Sequence, residues 1–353
     1  MVGETPKQTR EPLLPLRHEE GDLFLCDMLE APFKDDVASM EHPIFSLSTK
    51  PDTRPRRYEH NGNILEVLPS SMGLATIHDK DVLIYAVSHL VQAINEGRPL
   101  SRTVRLRAHD LLVKTNRQTD GDGYARLKDA FTRLRGTTLR TSIKTGGEET
   151  TSIFGLVDEA NIVRKTFDGR MVEAEITLSK WLFRAVAARE VLTIHPDYFR
   201  LRKPLERRLY ELARKHCGQQ SSWLVTLEVL QKKCGSSSTL KEFRRLIAAV
   251  IQMDGEYQHM PDYAVRWRDE TQDAVMFERR DTARLGDSPS RARVHLSADA
   301  IEKARGLARG WDVYVIENDW RVWMADSGGD PPKNPDAAFL GFVKKWVAQK
   351  KAA

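Results

Sequence analysis

Ser236, Ser237, Ser238 and Thr239 stand in a row directly before a segment in which Leu240, Phe243, Ile247 and Val250 recur at helical spacing. Hydroxyls at a helix start can cap the helix or add donors beside its exposed N–H groups. The positive end of the helix dipole favours a phosphate at the same place. With the apolar residues turned inward, Lys241, Arg244 and Arg245 project outward, and Lys232 and Lys233 lie just ahead of the turn. Arginine can grip guanine with two parallel hydrogen bonds, and lysine supplies phosphate attraction or a single base contact. The chemistry these residue types suggest is recognition of duplex DNA. Its plain alternative is a solvated basic helix face.

Catalytic constellations are harder to find. There is no G-x-x-x-x-G-K-[ST] loop for a nucleotide triphosphate, and no H-E-x-x-H. The ten histidines include no His-x-His pair of the kind that holds a metal for strand nicking. Asp120/Asp122 and Asp35-Asp36 read as polar loop residues. His216 and Cys217 adjoin, with Cys234 further on, but the spacing supplies no fourth zinc ligand. The expectation is a non-enzyme with no metal and no cofactor.

The elements that must position the basic residues follow a repeated pattern. Residues 228–235 read EVLQKKCG and, after a short turn, 240–247 read LKEFRRLI; residues 110–117 read DLLVKTNR and, after a longer turn, 127–134 read LKDAFTRL. Each copy is an acidic residue near the start of a short amphipathic helix, a polar turn, and a second helix beginning Leu-Lys-acid. That is the outline of a helix-turn-helix, whose second helix enters a DNA groove. In the later copy, a helix from Pro204 to His216 and a strand from Trp223 to Leu227 precede helices over 228–234 and 239–253. The stretches YAVRWR and AVMFERR then form a β-hairpin around DETQD, a wing carrying Arg266, Arg268, Arg279 and Arg280. These arginines could straddle the minor groove or a backbone, or simply solvate a sheet edge.

In the earlier copy the second helix is expected from Tyr124 to Arg135. Leu127, Ala130, Phe131 and Leu134 face inward; Arg126, Lys128, Arg133 and Arg135 face solvent or phosphate. Its turn, RQTDGDG, carries two aspartates that a nearby backbone would repel. A long helix before it, with Val82, Leu83, Tyr85, Ala86, Leu90, Val91 and Ile94 on its apolar face, is capped by Asp79 or Thr76 and stopped by Gly97 and Pro99. The strand TVRLR follows that helix, and TLRTSIK, TSIFGLVDEANIV and MVEAEITLS alternate at period two behind the motif, as a β-hairpin or small sheet would. Further back, IFSLST, RRYEHNG and NILEVLPS read as strands, with Asn61-Gly62 as a tight hairpin turn.

With 353 residues the chain is long enough for two or three domains. A formal net charge of +5 is compatible with a polyanionic partner. The distribution is more telling than the sum: between Ser101 and Thr145 eleven Lys/Arg face four acids, which puts the first motif in a basic stretch. Three cysteines without a CxxC pairing argue for a reducing cytosol and buried or half-exposed structural thiols. Without a signal-peptide core or an apolar span of about 20 residues, a cytoplasmic protein away from membranes is expected.

The fold class expected is α+β, two tandem winged-helix domains with a mostly helical C-terminal extension. The divisions are a flexible arm over 1–21, the first domain over 22–190, the second over 191–281, a linker over 282–292 and the extension over 293–353. Within that extension a helix over 297–309, the aromatic stretch WDVYVIENDWRVWM and a short helix over 335–348 are expected. Its tryptophans suit a small core better than base stacking.

Three segments carry a resemblance to a known family: MEHPIFSLSTKPDTRPRRYEHNG (40–62), LPSSMGLATIHDKDVLIYAVSHL (68–90) and LTIHPDYFRLRKPLERRLYELARKHCG (192–218). They resemble the plasmid replication initiator protein A family, in order, across roughly Asp22 to Asp281. The resemblance implies binding to repeated sites at an origin of double-stranded DNA through two winged helices, local opening of the strands, and recruitment of host replication initiation factors and the replicative helicase. It also implies a monomer–homodimer equilibrium, with the first domain either gripping phosphates or forming the dimer interface. A transcriptional repressor would use the same motifs, and a protein-binding adaptor is the reading from a different class.

Overall fold

The computed structural model describes residues 13–18, 32–60, 63–145, 148–164, 171–217 and 222–280, and in the tail 296, 298–308, 316–317, 320, 324, 332 and 334–352. The chain divides into two units, Met1–Arg280 and Asp281–Ala353. It is a mixed α/β structure in which the described strands pair antiparallel, with one isolated parallel bridge between Ser46 and Thr76.

The larger unit opens with β1 (Lys34–Asp36) and α1 (Val37–Glu41), which Asp36 caps by accepting from the Ser39 N–H at 2.7 Å. Strands β2 (Arg56–His60) and β3 (Asn63–Leu68) form the expected hairpin; its turn, Asn61-Gly62, lies outside the described residues. Helix α2 (Lys80–Asn95) follows, buried on nearly every side from Lys80 to Ser88 rather than along one face. Asp79 precedes it but makes no side-chain cap; its carboxylate accepts from the Thr76 N–H instead. Gly97, in the left-handed region at φ 68°, turns the chain away as expected.

Next come β4 (Thr103–Arg107), α3 (Ala108–Lys114) and α4 (Gly121–Gly136). The strands β5 (Thr138–Thr145), β6 (Glu148–Gly155), β7 (Val157–Arg164) and β8 (Met171–Leu178) make two hairpins in two different sheets, not one small sheet behind the motif. One sheet has the order β2-β3-β5-β6 and the other β4-β8-β7. The switch falls at Gly155–Val157. Leu156 and Val157 are both buried at this crossover.

Helix α5 (Lys180–Ala187) leads to β9 (Val191–Thr193), a 3₁₀ turn (Pro196–Arg200) and α6 (Pro204–Cys217). Then β10 (Ser222–Thr226), α7 (Leu227–Cys234), α8 (Leu240–Tyr257), β11 (Tyr263–Trp267) and β12 (Ala274–Arg279) complete the unit, with sheet order β10-β12-β11. The division expected at 190/191 does not separate two cores. β9 pairs with β1, and a single cluster of buried residues runs from Phe33 to Phe277.

Charge as well as apolar surface joins the two halves of that core. On α6, Leu209, Leu212 and Ala213 are buried as the apolar spacing requires, but so are Glu206, Arg207, Arg208 and Glu211. Glu211 meets Lys80 at 3.0 Å, and Lys80 meets Asp35 at 2.6 Å. Arg207 pairs with Asp81 at 2.6 Å. Arg208 donates to the carbonyls of Ser39 (3.1 Å), Met40 (3.0 Å), Glu41 (3.1 Å) and Lys233 (2.8 Å). Glu206 meets Lys203 at 3.2 Å, so each of these four charged side chains of α6 has an opposite charge beside it, as burial demands.

The arm expected to be flexible over 1–21 is docked where it is described. Leu14 exchanges hydrogen bonds with Arg200, its N–H donating to the carbonyl at 2.9 Å and its carbonyl accepting from the guanidinium at 2.8 Å. The Asn116 side chain accepts from the Arg17 N–H at 2.8 Å and donates to the Pro15 carbonyl at 3.1 Å. An amide side chain satisfying a donor and an acceptor of one segment fixes that segment's path.

The smaller unit has α9 (Ala298–Leu307) and α10 (Pro335–Ala352), the latter longer than expected. Trp320 is buried against Phe339, with ring centroids 5.3 Å apart, in a core that includes Ala304, Val343 and Val347. Most of the aromatic stretch 311–324 and the whole 282–292 segment lie outside the described residues.

Candidate nucleic-acid interface

Helices α7 and α8 are set against each other by three local devices. Thr226 caps α7, accepting from the Val229 N–H at 3.4 Å. Gly235 ends it at φ 68°, with Ser236 N–H bonding back to the Gln231 carbonyl at 3.2 Å. Thr239 caps α8, accepting from the Glu242 N–H at 3.2 Å. Ser236 and Ser238 bond to each other at 2.8 Å, while Ser237 is exposed. The hydroxyl run is therefore first a turn and a cap, with Ser237 on the surface.

Along α8, Phe243, Ile247 and Val250 are buried as their spacing requires. Lys241, Arg245 and Gln252 are exposed at intervals of four and seven residues, so they share one outward stripe. Gln252 belongs with them although sequence reasoning passed over it; the i, i+4, i+11 spacing was the available signal. Arg245 is held by Glu242 through two bonds of 2.9 and 2.7 Å. That pairing lowers the Glu242 carboxyl below its usual value, by hydrogen bonding first and charge second. Arg244 leans off the stripe toward the β11–β12 connection, 3.3 Å from Asp273.

Two basic residues counted toward this surface are internal struts. Lys233 meets Glu41 at 2.5 Å, and burial with the nearby Arg208 charge lowers its pKa. Arg280 donates to the Tyr263 carbonyl at 3.0 Å and pairs with Asp254, itself almost fully buried, at 2.5 Å. Both were expected outside because sequence does not show which carboxylate a basic residue meets. Lys232 is exposed, and so is Arg279. On the hairpin, Arg266 pairs with Glu278 at 2.6 Å and Arg268 with Asp269 at 2.5 Å, both still solvent-accessible.

In the first motif the turn is shorter than expected, because Gly121–Gly123 already belong to α4. Asp120 caps that helix, accepting from the Gly123 N–H at 2.8 Å, so one of the two aspartates is occupied structurally. Lys128 and Arg135 are exposed and share an outward stripe with Thr132. Arg126 turns aside to Gln118 at 2.5 Å. Arg133 is not a surface residue: it grips Asp79 with bonds of 2.7 and 2.8 Å. Of the four arginines and lysines expected outward here, two are on the stripe.

The family model for replication initiator protein A matches residues 34–265, from β1 into β11. The chain belongs to the replication initiator protein A family. A "Putative replication protein" of Wigglesworthia glossinidia brevipalpis is 36% identical over 250 residues, covering 70% of this chain and 89% of that protein. Among solved structures, a crystal structure of domains 2 and 3 of RctB superposes with a TM-score of 0.50 at 14% identity, covering 69% of this chain and 98% of that one. At that identity the likeness is one of fold.

The two described cysteines of this initiator are buried. Burial pushes the Cys217 thiol up to about 11 and the Cys234 thiol to about 12, far from thiolate reactivity. Among the described residues no three His, Cys, Asp or Glu side chains gather as a metal site would require. No described helix is long and apolar enough to cross a membrane.

Proposed function

We propose that this protein initiates plasmid replication by binding specific double-stranded origin DNA through two winged helices. In each, a strand, two helices and an antiparallel hairpin stand in the winged-helix order: β4, α3, α4 and β7–β8, then β10, α7, α8 and β11–β12. The observation that carries the reading is the exposed Lys241, Arg245 and Gln252 stripe on the second helix of the second motif. Arginine and glutamine have bidentate partners in guanine and adenine, and lysine adds backbone charge. Lys128 and Arg135 on α4 give the first motif phosphate contacts, or leave it to a dimer interface.

The activity is binding and not catalysis: phosphate contacts position the protein, stripe side chains choose the sequence, and DNA bending or opening follows. Host initiation factors and the helicase are the partners such a complex would recruit. Footprinting on origin DNA tests the proposal. The double variant Arg244→Ala/Arg245→Ala should lose preference for its site while keeping weak, salt-sensitive binding. An unchanged footprint, or purified protein that hydrolyses ATP or nicks supercoiled DNA, would overturn it.

A further inference from the structure

A cavity of about 550 Å³ opens between the docked N-terminal arm, the 48–51 loop and the start of α4. Its volume lies within the range of roughly 300–1,000 Å³ common to small-ligand sites. Six cationic side chains line it against three carboxylates, a net +3. Five of these groups already engage one another: Arg133 grips Asp79, while Arg117 and Arg207 share Asp81 at 3.0 and 2.6 Å, which leaves one positive charge in excess. These pairs are rigid, and burial followed by the Arg207 charge pushes the neighbouring His78 imidazole down to about 4, so it stays neutral.

The remaining cations, Arg17, Lys50 and Arg126, meet no carboxylate among the described residues. Arg126 is held only by Gln118 and by the Asp122 carbonyl at 3.2 Å. The three come from three separate chain segments that line one cavity. Asp129 on the same wall is the single opposing charge outside the ion pairs. An unbalanced set of cations of this kind, beside ion pairs that themselves carry one positive charge in excess, is complementary to an anion carrying more than one negative charge.

We propose that this cavity binds a phosphate-bearing anion, clamped by Arg17, Lys50 and Arg126. The phosphate has two possible sources, a free nucleotide polyphosphate or the backbone of bound DNA; only the second rests on the function proposed above. Calorimetric titration of the full chain with inorganic triphosphate, ATP and a short duplex at fixed ionic strength distinguishes them. The variant Lys50→Ala/Arg126→Ala removes two clamp charges, and Arg57→Ala/Arg98→Ala removes two exposed charges outside both motifs and the cavity as a control.

Saturable binding of triphosphate or ATP, weakened about tenfold or more in the clamp variant and unaffected in the control, supports a free-anion site. Loss of duplex affinity specific to the clamp variant, without triphosphate binding, supports a backbone site. The proposal is overturned if clamp and control variants weaken every anion equally, or if the clamp variant binds all three probes like the unaltered chain. Triphosphate binding that persists in a protein with no DNA affinity would sink the function and leave this site standing.

Discussion

Lys80 on α2 and Glu211 on α6 stand 3.0 Å apart, with almost no solvent reaching either side chain. The contact joins the helix that leads into the first motif to the helix that leads into the second. With Asp35 on the other side of the ammonium, it forms the centre of the unit's charged core. Removing Lys80 takes away the cation that Asp35 and Glu211 share, and removing Glu211 takes away the carboxylate that Lys80 and Arg208 share. Lys80→Ala and Glu211→Ala should each lower the free energy of unfolding by about 3–5 kcal/mol. Denaturant unfolding is the check; a midpoint unchanged in both variants would show that the charges are not held as described.

Gly235 sits at φ 68° with the first half of the chain pressed against it. A Cβ there would lie 2.7 Å from Pro43 Cβ and 2.8 Å from the Tyr58 hydroxyl. Gly235→Ala is therefore strained in backbone and in space. It should cost more than about 1 kcal/mol in thermal or denaturant unfolding. Gly255→Ala on α8, where nothing lies within 4 Å, should be neutral or slightly stabilising.

Arg133 and Arg135 sit two residues apart on α4 and should behave oppositely. Arg133→Ala breaks the two bonds to the buried Asp79 carboxylate and should destabilise the fold by about 1–3 kcal/mol. Arg135→Ala touches exposed charge and should change stability by less than about 0.5 kcal/mol. It should instead reduce the salt slope of DNA binding if α4 meets phosphate. Equal stability losses in the two variants would refute the distinction.

Acid should weaken the fold through three half-buried histidines, opposed in part by Asp35. Burial pushes the Asp35 carboxyl up to about 8, so the folded chain holds a proton there that the unfolded chain lacks. His78, His89 and His216 are each held at about 4 in the folded chain, chiefly by burial, against 6.5 when exposed. A depressed folded pKa means that the unfolded chain takes up the proton first. The stability these three groups contribute is therefore complete above about 6.5 and falls as pH drops toward 4, by at most about 1.4 kcal/mol per pH unit for each group. Asp52 and Asp81, also held below their usual value of 3.8, add losses only at lower pH. Unfolding midpoints measured from pH 6.5 to 4.5 should decline, three imidazoles outweighing one carboxyl; a flat profile would mean that the imidazoles stay solvated.

The second motif was legible almost residue by residue. Leu240, Phe243, Ile247 and Val250 announce the inward face of α8, Gly235 its preceding turn, and Thr239 its cap, because each depends on neighbours a few positions away. The first motif was legible as helices but not as sheets. Period-two alternation marks β5 to β8 as strands, yet says nothing about which partner strand each will find. The charged run Glu206-Arg207-Arg208 reads as surface for the same reason: Asp81 and the carbonyls of residues 39–41, which make its burial tolerable, are remote in sequence.

By itself, then, the amino-acid order determined the helices, turns and caps, the basic character of both motifs and the family, since these rest on local spacing and on extended matching segments. Tertiary structure alone decided which cations face solvent. Lys241, Arg245, Lys128 and Arg135 remain outward, while Lys233, Arg133 and Arg280 are drawn to Glu41, Asp79 and Asp254. A lysine or arginine has the same local propensity in either role. What separates them is a carboxylate brought near by the fold, and the cost of leaving that carboxylate buried without its counter-charge.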